Sequence, residues 1–325
     1  MTELLPWQSA QWQQLWQRQR ADRLPHALLL VGPPGLGKLL FAQRLIQALL
    51  CESRDEQAIS CGSCRSCRLF LSAGHPDCTV AEPSEPNKPI KVDQIRELCA
   101  FLGYTSQFGG YKVALVASAE QLNINAANSL LKTLEEPPTN SLLLLVTPFP
   151  SRLPATVRSR CQTVIFSEPS TEQALAWLAP RLEQGADSKL MLDLSGGAPL
   201  KALDYAADSH LNRRQTLFQC YSQVLDGNED PISAAETWSA GDVAENLHWL
   251  IGWHMDMIRL KMTADPPRLF NPDWRSQLRV LAERSPTRLL FQRLDTVLRL
   301  QALCVTSVNP KLMLEAFLAS CVNAI

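Results

Sequence analysis

The chain has 325 residues, enough for two or three domains with substantial cores. Its 31 basic and 32 acidic side chains nearly cancel, which excludes a global electrostatic draw to nucleic acid and leaves any such contact local or shared with partners. Met-Thr-Glu-Leu-Leu-Pro-Trp lacks the basic start and apolar stretch of a signal peptide, and the longest aliphatic runs are far too short to span a bilayer, so a soluble cytoplasmic protein with no membrane contact is expected.

In chain order, Trp12, Leu15 and Trp16 share one helical face and read as core. Ala27 to Val31 is a short buried-strand pattern running into Gly-Pro-Pro-Gly-Leu-Gly-Lys-Leu at 32–39, and Lys38 to Leu50 is a helix. Further strands are expected at Cys78 to Ala81, Val113 to Ala117, Leu142 to Val146 and Val164 to Phe166. Helices lie between several of them: Asp93 to Leu102, with Asp93 as N-cap, and Asn125 to Glu136, stopped by Pro137-Pro138. Glu82 to Pro89 is a proline-rich surface loop. Strands alternating with helices indicate a parallel sheet covered on both faces, with ligands at the carboxyl ends of the strands. After Pro169 the strand signal vanishes. Thr171 to Gly185, Asp187 to Ser195 and Pro199 to Asp208 read as three short helices, and longer amphipathic helices follow, including Asp242 to Met262 and Pro286 to Thr306.

The loop at 32–39 is a phosphate-binding loop complete except at its last position. Gly32, Gly35, Gly37 and Lys38 can cradle phosphate through backbone N–H groups at a helix N-terminus, although Pro33 and Pro34 remove two donors. The hydroxyl that should follow the lysine and ligate Mg²⁺ is replaced by Leu39, which cannot coordinate a hard cation. The neighbouring strand should end in an Asp for Mg²⁺ and often a Glu for the attacking water; Ala117 and Ser118 stand there instead. Glu120 lies beyond the strand end and reads as a surface charge. Metal ligand, water activator and loop hydroxyl are all missing, so no Mg-ATP is expected.

Ten cysteines matter more through spacing than number. Cys51, Cys61, Cys64 and Cys67 form overlapping Cys-x-x-Cys steps closed by a cysteine returning from the preceding helix, with Gly62 and Ser63 as a flexible knuckle. Four soft thiolates favour structural Zn²⁺ in a closed shell with no open position for catalysis. His75 and Cys78, in His-Pro-Asp-Cys, remain alternatives for one ligand. The remaining cysteines are scattered in apolar contexts and read as packing residues.

Asn-Ala-Ala-Asn-Ser-Leu-Leu-Lys-Thr-Leu-Glu-Glu-Pro-Pro at 125–138 and Thr-Val-Arg-Ser-Arg-Cys at 156–161 closely resemble signatures of the bacterial clamp-loader subunits, within the AAA+ superfamily. With the four-cysteine module, the chain resembles the delta prime type of the DNA polymerase III clamp loader. The resemblance is strong over the first 165 residues and weaker through Gly196-Gly197-Ala198-Pro199 and Asn309-Pro310-Lys311-Leu312. The nucleotide-sensing arginine of the motor subunits corresponds here to Leu200, with Lys201 beside it. In this family the arginine of Ser-Arg-Cys reaches the ATP of the neighbouring subunit, a role the resemblance gives to Arg160. Arg158 would share a face with Arg160 if the segment were extended, so spacing alone does not choose between them.

Other features read as structural. Glu135 and Glu136 are helix neighbours that diverge by about a hundred degrees and cannot act as an acid/base pair. His248 and His254 do not share a helical face, and Trp249, Trp253, Met255 and Met257 read as helix-interface packing.

The expected architecture is an α/β P-loop (AAA+) domain over 1–167 with a zinc module at 51–67, a small helical lid over 168–208, and an all-α collar over 209–325. By resemblance it is a non-hydrolysing component of the DNA polymerase III holoenzyme, partnered with gamma/tau and delta subunits and acting through them on the sliding clamp and primed DNA. Two other readings compete: an active gamma/tau-type motor ATPase, opposed by Leu39, Ala117 and Ser118, and a zinc-dependent nucleic-acid-binding module, opposed by the net charge of −1.

Overall fold

The structure is a computed structural model that describes residues 4–85, 88–183, 185–206, 208–304 and 309–322. The expected loop at 82–89, and the helices expected to run through 184, 207 and 305–306, fall partly outside those residues. The chain divides into two compact units, Met1–Gln173 and Ala174–Ile325.

The first unit opens with a 3-10 turn, Pro6–Gln8, and α1 (Ser9–Arg20), whose Trp12, Leu15 and Trp16 are buried as expected. β1 (Ala27–Val31) leads through the glycine-rich loop into α2 (Lys38–Leu50), then α3 (Arg65–Leu71), β2 (Cys78–Ala81), α4 (Val92–Leu102) and β3 (Lys112–Val116). α5 (Ile124–Ser129), α6 (Leu131–Glu135), β4 (Ser141–Thr147), α7 (Ala155–Arg158) and β5 (Gln162–Ile165) complete it. The five strands pair in parallel in the order β2-β3-β4-β1-β5. β1, β3 and β4 are buried along their whole length because helices cover both faces, which is why they read as continuous aliphatic runs. Leu28, Leu29 and Leu30 are each at most 1% exposed, and burial of such a side chain stabilises by about 1.5–3 kcal/mol.

After β1 the chain crosses to the far edge at β2 and builds back through β3 to β4, then adds β5 on the other side. Connections therefore diverge at the carboxyl end of β1, the position where open α/β sheets bind ligands. The glycine-rich loop lies there.

Several local expectations are corrected. α4 begins one residue earlier than expected and its N-cap is Lys91, whose backbone N–H donates to Gln94 Oε1 at 2.9 Å; Asp93 sits inside the first turn, where its charge suits the helix dipole. The helix expected over 125–136 is capped by Asn123, which accepts from the Ala126 N–H, and is interrupted at Leu130. β3 starts at Lys112 rather than Val113, because Lys112 is buried beside Asp77 and belongs to the ladder opposite Ser141.

The second unit is helical among its described residues: α8 (Thr171–Leu178), which begins at the end of the first unit, then α9 (Ser188–Leu194), α10 (Pro199–Tyr205), α11 (Asp208–Leu225), α12 (Pro231–Ser239), α13 (Val243–Met262), α14 (Arg275–Arg284), α15 (Thr287–Leu303) and α16 (Pro310–Val322). Asp187, Asp230 and Asp242 cap α9, α12 and α13 by accepting backbone N–H bonds, each worth about 1 kcal/mol. One hydrophobic core runs from Ala174 to Cys321 and is built around Tyr221, Trp238 and Trp253, each fully buried. None of the described helices is long and apolar enough to cross a membrane.

Candidate functional site

The glycine-rich loop has the backbone its sequence demands. Gly32 sits at φ +148°, where a Cβ would lie 2.2 Å from the Phe166 carbonyl oxygen, so only glycine fits against the end of the last strand. Gly37 takes a left-handed conformation at φ 77° as it caps α2. The loop's carbonyls are held from outside: Trp7 Nε1 donates to Leu36 O at 3.0 Å, and Gln8 Nε2 donates to Leu36 O and Gly37 O at 2.9 and 3.0 Å. These contacts bridge almost thirty residues, and no local pattern announces them.

Lys38 does not point out of the loop. Its amine donates to Pro33 O at 2.6 Å, it is 6% exposed, and burial pushes it down to about 8 against the pull of the Glu120 carboxylate. Protonation is thus penalised in the folded state below about pH 8, and the penalty fades as pH rises towards the unfolded value of 10.5, where both states lose the proton. We expect Lys38→Met to be more stable than the parent by about 1–2 kcal/mol near neutral pH, the lost hydrogen bond offsetting part of the gain. The gap should close between pH 8 and 10.5 in urea unfolding of the two proteins; a gap that stays constant would place the amine in solvent.

Leu39, Ala117 and Ser118 line one cavity of about 510 Å³ with Glu82, Glu85, Glu120 and Gln121. The three positions at which the sequence departs from the P-loop pattern therefore meet in space. Glu120 is half-buried in this cavity rather than on the surface as expected, because the 3-10 turn Ala119–Gln121 folds it back towards Lys38. Leu39 is 38% exposed, offering an aliphatic side chain where a hard cation needs oxygen. Where the P-loop pattern places its hydroxyl and its strand-end carboxylate, the cavity presents Leu39 and Ala117.

The four cysteines are brought together. Cys51 caps the end of α2, Cys61 and Cys64 lie on the following loop, and Cys67 is in α3; their sulfurs all fall within 4.8 Å of one another. The Cys51–Cys61, Cys51–Cys64 and Cys61–Cys67 separations are 3.6, 4.0 and 4.0 Å. A tetrahedron with metal–sulfur bonds near 2.3 Å has edges of about 3.8 Å, whereas a disulfide needs about 2.05 Å. Backbone N–H groups of Cys61, Cys64 and Cys67 point at the sulfurs of Cys51, Cys61 and Cys64, each at 3.3 Å. At Cys61 the N–H groups of Ser63 and Cys64 pull the thiol down to about 6, favouring the thiolate a metal binds. The donor set and its spacing fit a tetrahedral thiophilic cation.

His75 and Cys78 are not in the cluster. His75 Nδ1 accepts from the Asp77 N–H at 3.0 Å, so Nε2 carries the proton and meets Ser66 Oγ at 2.8 Å, and Ser66 in turn donates to Leu50 O at 2.6 Å. Asp77, fully buried, accepts from Ser106, from the Gln107 and Phe108 N–H groups and from Lys112. This polar chain fastens the cysteine module to the sheet edge independently of any metal. Its only trace in the sequence is the tetrapeptide His-Pro-Asp-Cys.

Arg158 and Arg160 lie on a helical turn, not in the extended segment that would align them. Arg158 ends α7, and the N–H groups of Ser159 and Arg160 bond back to Ala155 O and Val157 O at 2.9 and 3.1 Å. Two positions on such a turn diverge by about 200°. Arg160 Nη1 donates to Thr156 O at 3.0 Å, and Nη2 lies 2.6 Å from Glu135 Oε1.

In the second unit, Leu200 and Lys201 stand in the first turn of α10, and Lys201 lies over the Tyr205 ring at 5.2 Å. His254 uses both nitrogens internally, on Leu250 O and Tyr221 Oη, and burial lowers it to about 4; His248 is lowered to about 3. With both nitrogens engaged, His254 has none left for a metal.

A parallel sheet with a glycine-rich loop at the carboxyl end of β1 and an inserted four-cysteine module defines a subunit of the P-loop type. The family model described as DNA polymerase III, delta subunit, matches residues 7–170, and the one described as its C-terminal part matches 208–321. The DNA polymerase III subunit delta' of Pseudomonas aeruginosa is 36% identical over 98% of this chain and 97% of that protein. The subunit delta' of Escherichia coli is 33% identical over 96% and 93%. Among solved structures, a gamma subunit-related protein of Thermotoga maritima is 16% identical, with a TM-score of 0.45 over 96% of this chain and 99% of that one. The chain belongs to the DNA polymerase III delta prime family.

Proposed function

We propose that this protein is the non-hydrolysing subunit of a DNA polymerase III clamp loader, assembling with gamma/tau- and delta-type subunits to load the sliding clamp onto primed DNA. The observation that carries this reading is the meeting of Leu39, Ala117 and Ser118 in one cavity beside an inward-turned Lys38, in a chain whose family relatives match it almost end to end. Phosphoryl transfer needs a metal bridging the phosphates and a positioned nucleophile, and Leu39, Ala117 and Ser118 stand where the P-loop pattern places the residues for both. The lid over 168–208 and the collar over 209–325 belong to the same reading, the collar as the part that meets sister subunits. Cys51, Cys61, Cys64 and Cys67 hold one structural Zn²⁺, which closes the loop between α2 and α3 and leaves no ligand position for substrate. Arg160 supplies a guanidinium in trans to the ATP of the neighbouring subunit, where charge on the transferring phosphoryl group is stabilised.

The purified chain should show no Mg²⁺-dependent ATP hydrolysis above background. Leu39→Thr combined with Ala117→Asp and Ser118→Glu should gain Mg-nucleotide affinity at most, since Leu200 still stands at the sensing position. Turnover by the parent protein that disappears in Lys38→Ala would defeat the reading.

A further inference from the structure

Glu135 has no acid/base use, yet the structure gives it a specific partner. Its Oε1 lies 2.6 Å from Arg160 Nη2, while Arg160 Nη1 is fixed on the Thr156 carbonyl at 3.0 Å. Glu135 closes α6 just before Pro137-Pro138, and Thr156 belongs to α7, so two separate elements set the guanidinium's resting place. We infer that Glu135 is a catch for Arg160: it holds the finger on its own chain until a neighbouring subunit presents a phosphate. The inference rests on the trans-acting role proposed above.

The strength of the contact suits that task. The two side chains are 37% and 52% exposed, so water screens the pair, and exposed ion pairs bias an equilibrium only about two- to five-fold. A triphosphate carries more charge and offers several oxygens to the planar fork, so it outcompetes a single screened carboxylate. A buried partner would hold the arginine against that competition and disable it. In the free chain the carboxylate also lowers the local positive charge, so the finger is neutralised until it is used. Glu135 is thus a positioning residue that acts through Arg160.

The test has two arms. In the isolated full chain, phenylglyoxal modification of Arg160, mapped by mass spectrometry, should run about two- to five-fold faster in Glu135→Gln than in the parent, with Arg158 unchanged as internal control. In the reconstituted loader, Glu135→Gln should lower the apparent KM for ATP by a similar factor at unchanged kcat, and should do nothing when Arg160→Ala is also present. Full hydrolysis in Arg160→Ala alone overturns the finger reading itself. With hydrolysis lost in Arg160→Ala, an unchanged modification rate in Glu135→Gln overturns the catch alone. A fall in kcat in Glu135→Gln overturns it too, because Glu135 would then support the engaged finger.

Discussion

Chelating the metal from reduced protein should loosen the 51–67 module while the sheet persists. Four cysteine sulfurs with edges close to those of a tetrahedral zinc site define the module, and structural zinc contributes about 10–16 kcal/mol of apparent binding energy at neutral pH. That exceeds the net stability of most domains, so an apo module has little to replace it. The rest of the unit has its own core, with the strands and their covering helices burying a contiguous set from Ala27 to Val157. The two ends of the module are not equivalent. α3 is fastened by Ser66 on Leu50 and His75, and residues 56–57 by Trp12 and Arg20, which donate to the Gln57 and Glu56 carbonyls, whereas the Cys61–Cys64 knuckle bonds mainly through its sulfurs. Hydrogen exchange followed by mass spectrometry should therefore show protection lost first at 61–64, then over the rest of 51–67, and in β1, β3 and β4 last. Cys67→Ser should behave like chelation, since it removes a buried ligand. Elemental analysis should find one zinc per chain in the parent and little in this variant. Absence of zinc from freshly purified reduced protein would end the claim, and simultaneous loss of protection in module and sheet would show that the module is not a local unit.

The strands are legible because each arises from local composition. A strand buried on both faces is a short aliphatic run between turn residues, and β1 and β2 were placed to the residue while β3, β4 and β5 differ at their ends by one or two positions. The cysteine cluster was legible for the same reason, three of its four members lying within seven residues. What could not be read is polar and distant. Trp7 and Gln8 reach the glycine-rich loop, His75 reaches Ser66, and Glu135 reaches Arg160 across gaps that leave no periodic trace. Glu120 reads as a surface charge because the local sequence resembles any helix start, yet a 3-10 turn after β3 reverses it. Arg158 and Arg160 were aligned on the assumption of an extended segment, but Pro154 begins a turn whose carbonyl takes the Val157 and Arg158 N–H groups. That turn separates the two arginines, and the choice of Arg160 rests on the Ser-Arg-Cys motif.

Arg160→Ala should leave the fold and the assembly of the loader nearly unchanged while abolishing most hydrolysis at one neighbouring ATP site. The side chain is partly exposed and its cis partners are a screened carboxylate and one carbonyl, so removing it should alter stability by no more than about 0.5 kcal/mol. Its effect in trans is of another order: a finger that stabilises charge on the transferring phosphoryl group contributes about 10³ to 10⁵ in rate. The mismatch between these magnitudes is what separates a functional arginine from a structural one. Arg160→Lys should rescue poorly, because an ammonium is a point charge and cannot span two phosphate oxygens as the planar fork does. Arg158→Ala should do little, since the helical turn directs that side chain elsewhere. The measurement is DNA-stimulated ATP hydrolysis and clamp loading by the reconstituted assembly, with gel filtration to show that it forms. If Arg160→Ala leaves hydrolysis intact, or lowers it only by preventing assembly, then Arg160 is a surface residue tying α7 to α6, and the neighbouring ATP site draws its positive charge from somewhere else.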